Sequence, residues 1–229
     1  MCFWNNWENK TSYEKKIIIT LLNIKNFLKN KFFENIYCIF VGGSFQRREY
    51  TIDSDVDVWI IVNKDSNIEK IKTLLRQQFK EEIKILKQEP NLISLETLRR
   101  GTYLTKIKNK MSPRRFVLLS YDYSLIYGKP LPYNELKKMT NNQAYEGIVK
   151  FILNNNLEDF NNREASKLYL YMLYYKYKEK YQNLVYSFKT MRSLLEKYDE
   201  KLGIKCLDCI IKNLKYNNLK DEIISSLKE

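Results

Sequence analysis

Two runs of β-branched and aromatic residues constrain this chain most: Ile36-Tyr37-Cys38-Ile39-Phe40-Val41, and Val56-Asp57-Val58-Trp59-Ile60-Ile61-Val62. Both read as buried strands. The first is stopped by Gly42-Gly43-Ser44 and the second opens on Asp53-Ser54-Asp55. Glycines after a buried strand let backbone N–H groups approach a phosphate, and a helix starting there would add its positive end and the Ser44 hydroxyl. On its own such a turn is more often a plain chain reversal. Asp55 and Asp57 change the reading, because alternate residues of a strand share a face. Two carboxylates held that close repel, and hard divalent cations such as Mg²⁺ or Mn²⁺ relieve the repulsion. A pair of such ions about 3.5 to 4 Å apart activates an attacking hydroxyl and steadies a leaving pyrophosphate.

The surroundings predict an α+β fold. Ile17, Leu21, Ile24 and Leu28 repeat at helical spacing between Tyr13 and about Asn30, and Ile68, Ile71, Leu75 and Phe79 mark a second helix. Strand material lies around Asn91-Leu92-Ile93-Ser94-Leu95, where Pro90 points to an edge or a strand start. Phe116-Val117-Leu118-Leu119 and Ser124-Leu125-Ile126-Tyr127 precede Gly128-Lys129-Pro130-Leu131-Pro132, the densest punctuation in the chain. The boundary expected there divides a catalytic domain, 1–130, from a helical substrate-binding domain, 131–229. Beyond it, apolar positions at Ile148 and Ile152, Ala165 to Met172, Leu184 to Tyr198, and Leu207 to Ile211 predict four antiparallel helices in a bundle.

Composition narrows the class. The 229 residues include 40 Lys and Arg against 27 Asp and Glu, a formal charge of +13, which favours polyanionic partners such as RNA. The run Tyr169 to Lys178 interleaves tyrosines with lysines; such rings either stack bases or, at helical spacing, fill a core. No apolar run approaches the roughly 20 residues of a membrane span. The N-terminal Met-Cys-Phe-Trp-Asn-Asn-Trp lacks the order of a secretory signal, so a cytoplasmic, reducing location is expected. Cys206 and Cys209 form a C-x-x-C, but with no histidine and no second pair a zinc site lacks ligands, and reduced, buried thiols are expected.

The segment from Val41 to Val62 resembles the signature of minimal nucleotidyltransferases of the DNA polymerase β-like superfamily: a Gly-Ser turn, an Arg three residues later, and Asp-Ser-Asp-hydrophobic-Asp opening the next strand. Ser44, Arg47, Asp53, Asp55 and Asp57 fall on those positions. The resemblance spans residues 30–130 and implies a mixed sheet flanked by helices, an NTP co-substrate held by Gly42, Gly43, Ser44 and Arg47, and Mg²⁺ held by Asp55 and Asp57. Leu125-Ile126-Tyr127-Gly128-Lys129 is similar to the strand and Tyr-Gly that close such domains. Two departures stand out. The family's third carboxylate would fall at Asn91; Glu89, two positions earlier, is the substitute expected from alternation, while the nearby Glu96 matches a position outside the catalytic set. Arg48 replaces the common Gly, and either restricts the turn or adds a phosphate contact.

The resemblance thus implies transfer of a nucleoside monophosphate from an NTP to an acceptor hydroxyl, with an RNA 3′ end favoured by charge over a small aminoglycoside-like molecule. A weakened, antitoxin-like regulatory domain is the alternative that Asn91 supports. A fused toxin-like ribonuclease of the Arg-and-His type is excluded by the absence of histidine.

Overall fold

The computed structural model describes residues 2–51, 54–101, 122–154, 157 and 160–228. They form two compact units, Met1–Lys138 and Met139–Glu229. Asp53 and the run Phe116 to Leu119 lie outside the described residues.

In the first unit, helix α1 (Ser12–Phe32) starts in a capping box: the Thr11 hydroxyl accepts from the Glu14 amide and the Glu14 carboxylate accepts from the Thr11 amide. Its apolar stripe, Ile17, Leu21, Ile24 and Leu28, is fully buried. The mixed sheet follows, with strands β1 (Ile36–Val41), β2 (Val58–Val62), β3 (Asn91–Ser94) and β4 (Ser124–Gly128) in the order β3-β2-β1-β4. β1 pairs antiparallel with β2 and β4, and β2 pairs parallel with β3. Pro90, which has no N–H to donate, stands immediately before the edge strand β3. Gly128 takes φ +83, and a Cβ there would lie 2.8 Å from Cys38 Cα on the neighbouring strand, so the closing Tyr-Gly is required by backbone approach.

The strands bury both faces. Ile39, Val41, Val58, Ile60 and Val62 join α1 and the helices α3 (Ile68–Gln78) and α4 (Lys80–Leu86) in one cluster. Cys38, Phe40, Ile61 and Ile93 face the other way, with Trp59 packed beside them, against Leu95 and Leu98 of α5 (Leu95–Arg100) and Leu131 and Leu136. α2 (Gly43–Gln46) is a single turn between β1 and the aspartates. α4 and α5 exceed what periodicity predicts, since seven- and six-residue helices span too few repeats to leave a signal.

The second unit is helical, with α6 (Asn141–Asn154), α7 (Asn162–Lys180), α8 (Phe188–Lys197), α9 (Lys201–Ile211) and α10 (Leu219–Ser225) among its described residues. The short α10 adds to the four expected helices. α7 carries the tyrosine run, and Tyr169, Tyr174, Tyr175 and Tyr177 are buried. Those rings are core. Cys206 and Cys209 are free, buried positions on α9, and burial pushes the Cys206 thiol up to about 12. No helix among the described residues is long and apolar enough to cross a membrane.

Candidate functional site

The site gathers where β1 ends and β2 begins. The aspartate segment is held on three sides. Thr51 and Ser54 are tied to each other, with the Thr51 amide donating to Ser54 Oγ at 2.9 Å and the Ser54 amide to the Thr51 carbonyl at 3.0 Å. The Val56 amide donates to the Leu86 carbonyl at 3.0 Å, tying the segment to the end of α4. The Gly42 amide donates to the Asp57 carbonyl at 2.9 Å, which carries the β1–β2 hydrogen bonding one residue past the ladder. Asp55 and Asp57 therefore sit in the extended approach to β2 rather than within the strand, which begins at Val58.

Gly43 makes the turn and the carboxylate neighbours. It takes φ +67, and a Cβ there would lie 2.9 Å from Asp57 Cγ and closer still to Oδ2. No other residue allows both the left-handed backbone and that approach. α2 is only four residues long, so what this turn presents is individual N–H groups rather than a helix dipole. Gln88, which the sequence did not single out, donates to Asp57 Oδ1 at 3.3 Å and to the Val56 carbonyl at 2.9 Å. It follows Lys87, whose φ of +61 ends α4 and turns the chain toward β3. Gln46 donates to Ser124 Oγ at 3.0 Å, while its Oε1 is buried without a hydrogen-bond partner.

Arg47 and Arg48 diverge. Arg47 Nε donates to Glu49 Oε2 at 2.8 Å, both side chains being largely buried. Arg48 instead reaches Glu14, with Nε to Oε1 at 2.8 Å and Nη2 to Oε2 at 3.2 Å. Of the two roles open to Arg48, a restricted turn is what this geometry presents.

Glu89 precedes β3 and is not part of it. Its carboxylate takes a forked ion pair from Arg76 of α3, at 2.7 and 2.8 Å. That hydrogen bond, more than its burial, sets its titration and holds the carboxyl below the ordinary range. Asn91 is the residue paired in register with Trp59, two positions beyond Asp57. Asn91 thus stands level with Trp59 on the neighbouring strand, while Glu89 is drawn to α3. Among the described residues, no three or more Asp, Glu and Cys side chains converge as a metal-holding group.

At the far end of β2, Asp65 shows what a fully occupied carboxylate looks like here. It accepts from the hydroxyls of Ser94 and Thr97 and from Arg100, and its own amide donates to Glu96 at 3.0 Å. Burial pushes Asp65 up, but these donors outweigh it and hold the carboxyl low. Glu96 thereby ties α5 to the turn that follows β2.

Residues 22–110 match the family described as polymerase beta, nucleotidyltransferase. Among solved structures, the chain is similar to spectinomycin adenyltransferase AAD(9) from Enterococcus faecialis, solved with ATP and spectinomycin. The two share 11% identity over 93% of this chain and 99% of that one, with a TM-score of 0.58, a likeness of fold. No curated protein matches the sequence.

Proposed function

Because the chain contains a nucleotidyltransferase domain of the polymerase β-like superfamily, we propose that it moves a nucleoside monophosphate from an NTP onto an acceptor hydroxyl, with release of pyrophosphate. The observation that carries the reading is the approach of Gly43 to Asp57, which sets a side-chain-free turn directly against a carboxylate. Backbone N–H groups of Gly43 and Ser44, with the Ser44 hydroxyl, hold the β- and γ-phosphates in this reading, while Gly42, whose amide is engaged by the Asp57 carbonyl, lets the backbone come close, and Arg47 offsets the phosphate charge from its place beside Glu49. The oxygen-only donors Asp55 and Asp57 suit Mg²⁺ or Mn²⁺, and an ion bound there would neutralise the phosphates and acidify the acceptor hydroxyl. Gln88 fixes the orientation of Asp57 through Oδ1, leaving Oδ2 on the Gly43 side. With no histidine in the chain, the acceptor proton would pass to a carboxylate or to solvent.

The acceptor we favour is an RNA 3′ end, on the strength of the basic excess. A small-molecule hydroxyl is the second reading, supported by the fold-level similarity to an adenyltransferase solved with spectinomycin. Incubating the protein with each labelled NTP, Mg²⁺ or Mn²⁺, and either total RNA or an aminocyclitol panel decides both questions. Label appearing in RNA supports the first acceptor and label in a small molecule the second. Label in neither, with every NTP, refutes the enzyme reading and leaves the antitoxin-like regulatory alternative.

A further inference from the structure

Arg48 is the least expected residue of the turn. Its φ of +57 is a backbone conformation that an L side chain resists, at a cost of about 1 kcal/mol or more relative to glycine. Something must hold it there, and the contacts show what does. Besides the fork onto Glu14, Nη2 donates to the carbonyls of Glu8 at 3.0 Å and Asn9 at 3.3 Å, and the guanidinium lies over the Trp7 ring at 5.2 Å. Glu14 is 1% exposed and is the same residue that closes the capping box of α1. Phe45, inside the turn, is buried against Trp7 at 5.3 Å and Tyr50 at 5.4 Å. The backbone from Gly43 to Glu49 is closed by hydrogen bonds that depend on this reversal, with the Arg48 amide to the Phe45 carbonyl at 3.0 Å and the Glu49 amide to the Ser44 carbonyl at 2.8 Å.

We propose that Arg48 is a positioning residue: anchored on Glu14 and the N-terminal segment, its guanidinium holds the Gly42-Gly43-Ser44 turn in the shape that receives a triphosphate before any nucleotide arrives. Arg48 does not itself touch the phosphates. The inference rests on the nucleotidyl-transfer reading for the identity of the ligand, but the ordering of the turn stands apart from it. A turn that is competent only a tenth of the time without its anchor would bind its ligand about tenfold more weakly, with the bound state unaltered.

The test compares Glu14→Gln, Arg48→Gly and Arg48→Lys in the full chain, with helix content and thermal unfolding as the check on folding. The probe is a fluorescent ATP analogue with Mg²⁺. Each variant is expected to weaken binding about tenfold, with kcat at saturating NTP within about threefold of the parent and the Glu14→Gln/Arg48→Gly pair no worse than either single change. Glu14→Gln is the discriminating variant. If Arg48 were a phosphate ligand, freeing it from Glu14 would leave affinity unchanged or raise it, and that result overturns the proposal. So does a fall in kcat with affinity preserved. Hydrogen exchange of the Gly42 to Arg47 amides, read without nucleotide, separates the two hypotheses. Faster exchange in all three variants sustains the positioning role even in a protein that binds no NTP, and unchanged exchange overturns it. Arg48→Lys keeps the charge and loses the fork, so it serves where removal of the charge prevents folding.

Discussion

The two units keep their charge and their aromatic rings in different places. Met1–Lys138 carries 25 Lys and Arg against 15 Asp and Glu, whereas Met139–Glu229 carries 15 against 12. In the first unit, aromatic rings cluster around the Gly42-Gly43-Ser44 turn through Phe3, Trp7, Phe45 and Tyr50. In the second, the tyrosines of α7 turn inward, with Tyr174 and Tyr175 almost fully buried and Tyr177 stacked on Tyr198 at 4.9 Å. Aromatic residues next to lysines therefore mean different things in the two halves. In α7 the rings fill a core and the lysines extend from it, so base stacking by the four buried rings is closed off. The basic excess belongs to the unit that also holds the aspartates and the glycine turn, and polyanion binding is expected there.

The comparison breaks most directly at Asp55 and Asp57. Asp55→Ala or Asp57→Ala should lower nucleotidyl transfer by about 10³-fold or more, through loss of ligands at the reacting centre, while unfolding of the helical unit stays unchanged. Turnover within tenfold of the parent in both variants would remove the catalytic role from this unit.

A pair of glycines, one in each unit, sharpens the contrast. Gly43→Ala puts a methyl onto the Asp57 carboxylate and an L residue at φ +67. Turnover should fall about 10²-fold as Asp57 is displaced, for a stability cost of only about 1–2 kcal/mol. Gly203→Ala places its Cβ 2.5 Å from Leu195 Cδ2 and 3.0 Å from Leu173 Cδ1, inside the helical core. Overpacking of this kind costs roughly 1–3 kcal/mol, against a helix-propensity gain of about 1 kcal/mol. A net loss of up to about 2 kcal/mol is expected in denaturant unfolding, with NTP affinity unaltered. If Gly203→Ala impairs NTP binding, the units are not independent in function.

Salt provides a gentler probe. RNA affinity should fall steeply between low and physiological ionic strength, with a slope set by the phosphates neutralised. Charge-reversing pairs in the first unit, such as Lys25→Glu with Lys29→Glu, should flatten that slope more than equivalent changes in the second. A flat response in the parent would move the favoured acceptor to a small molecule.

How much of this was legible in the sequence varies with how far each residue's role depends on local pattern. β1 and β2 follow from apolar runs and α1 from an apolar stripe at helical spacing, because burial on a defined face leaves a period in the sequence. The adjacency of Gly43 and Asp57 was implied by motif spacing, though the left-handed backbone that makes it possible is visible only in three dimensions. Arg48 was legible as an anomaly and not as an anchor, since its partners Glu8, Asn9 and Glu14 lie more than thirty residues away and have their own local reasons to be polar. Gln88 carried no signal at all: its bond to Asp57 follows from the parallel pairing of β2 with β3, a non-local fact. Alternation alone misplaced Glu89 relative to the strand, because Pro90 delays β3 until Asn91 and Arg76 draws the carboxylate toward α3.

That last pair gives the finest test. A carboxylate that serves as proton acceptor in the transfer gains from a pKa near the working pH, and an ion pair that lowers the pKa works against this. Glu89, held low by Arg76, is a poor base as it stands, and Asn91 on β3 has an amide oxygen that can ligate a cation but cannot take a proton. We therefore expect Glu89→Gln to change turnover by no more than about threefold, with a small stability loss of ~0.5 kcal/mol from the half-exposed pair. Asn91→Asp should raise turnover several-fold, and more steeply with Mn²⁺ than Ca²⁺, by adding a carboxylate level with Trp59. Steady-state rates for the two variants, measured beside Arg76→Ala, distinguish the cases. A strong loss in Glu89→Gln, reproduced or reversed by Arg76→Ala, would show that Glu89 leaves its ion pair to act as the third carboxylate, and that the transfer site extends across the β2–β3 edge toward α3.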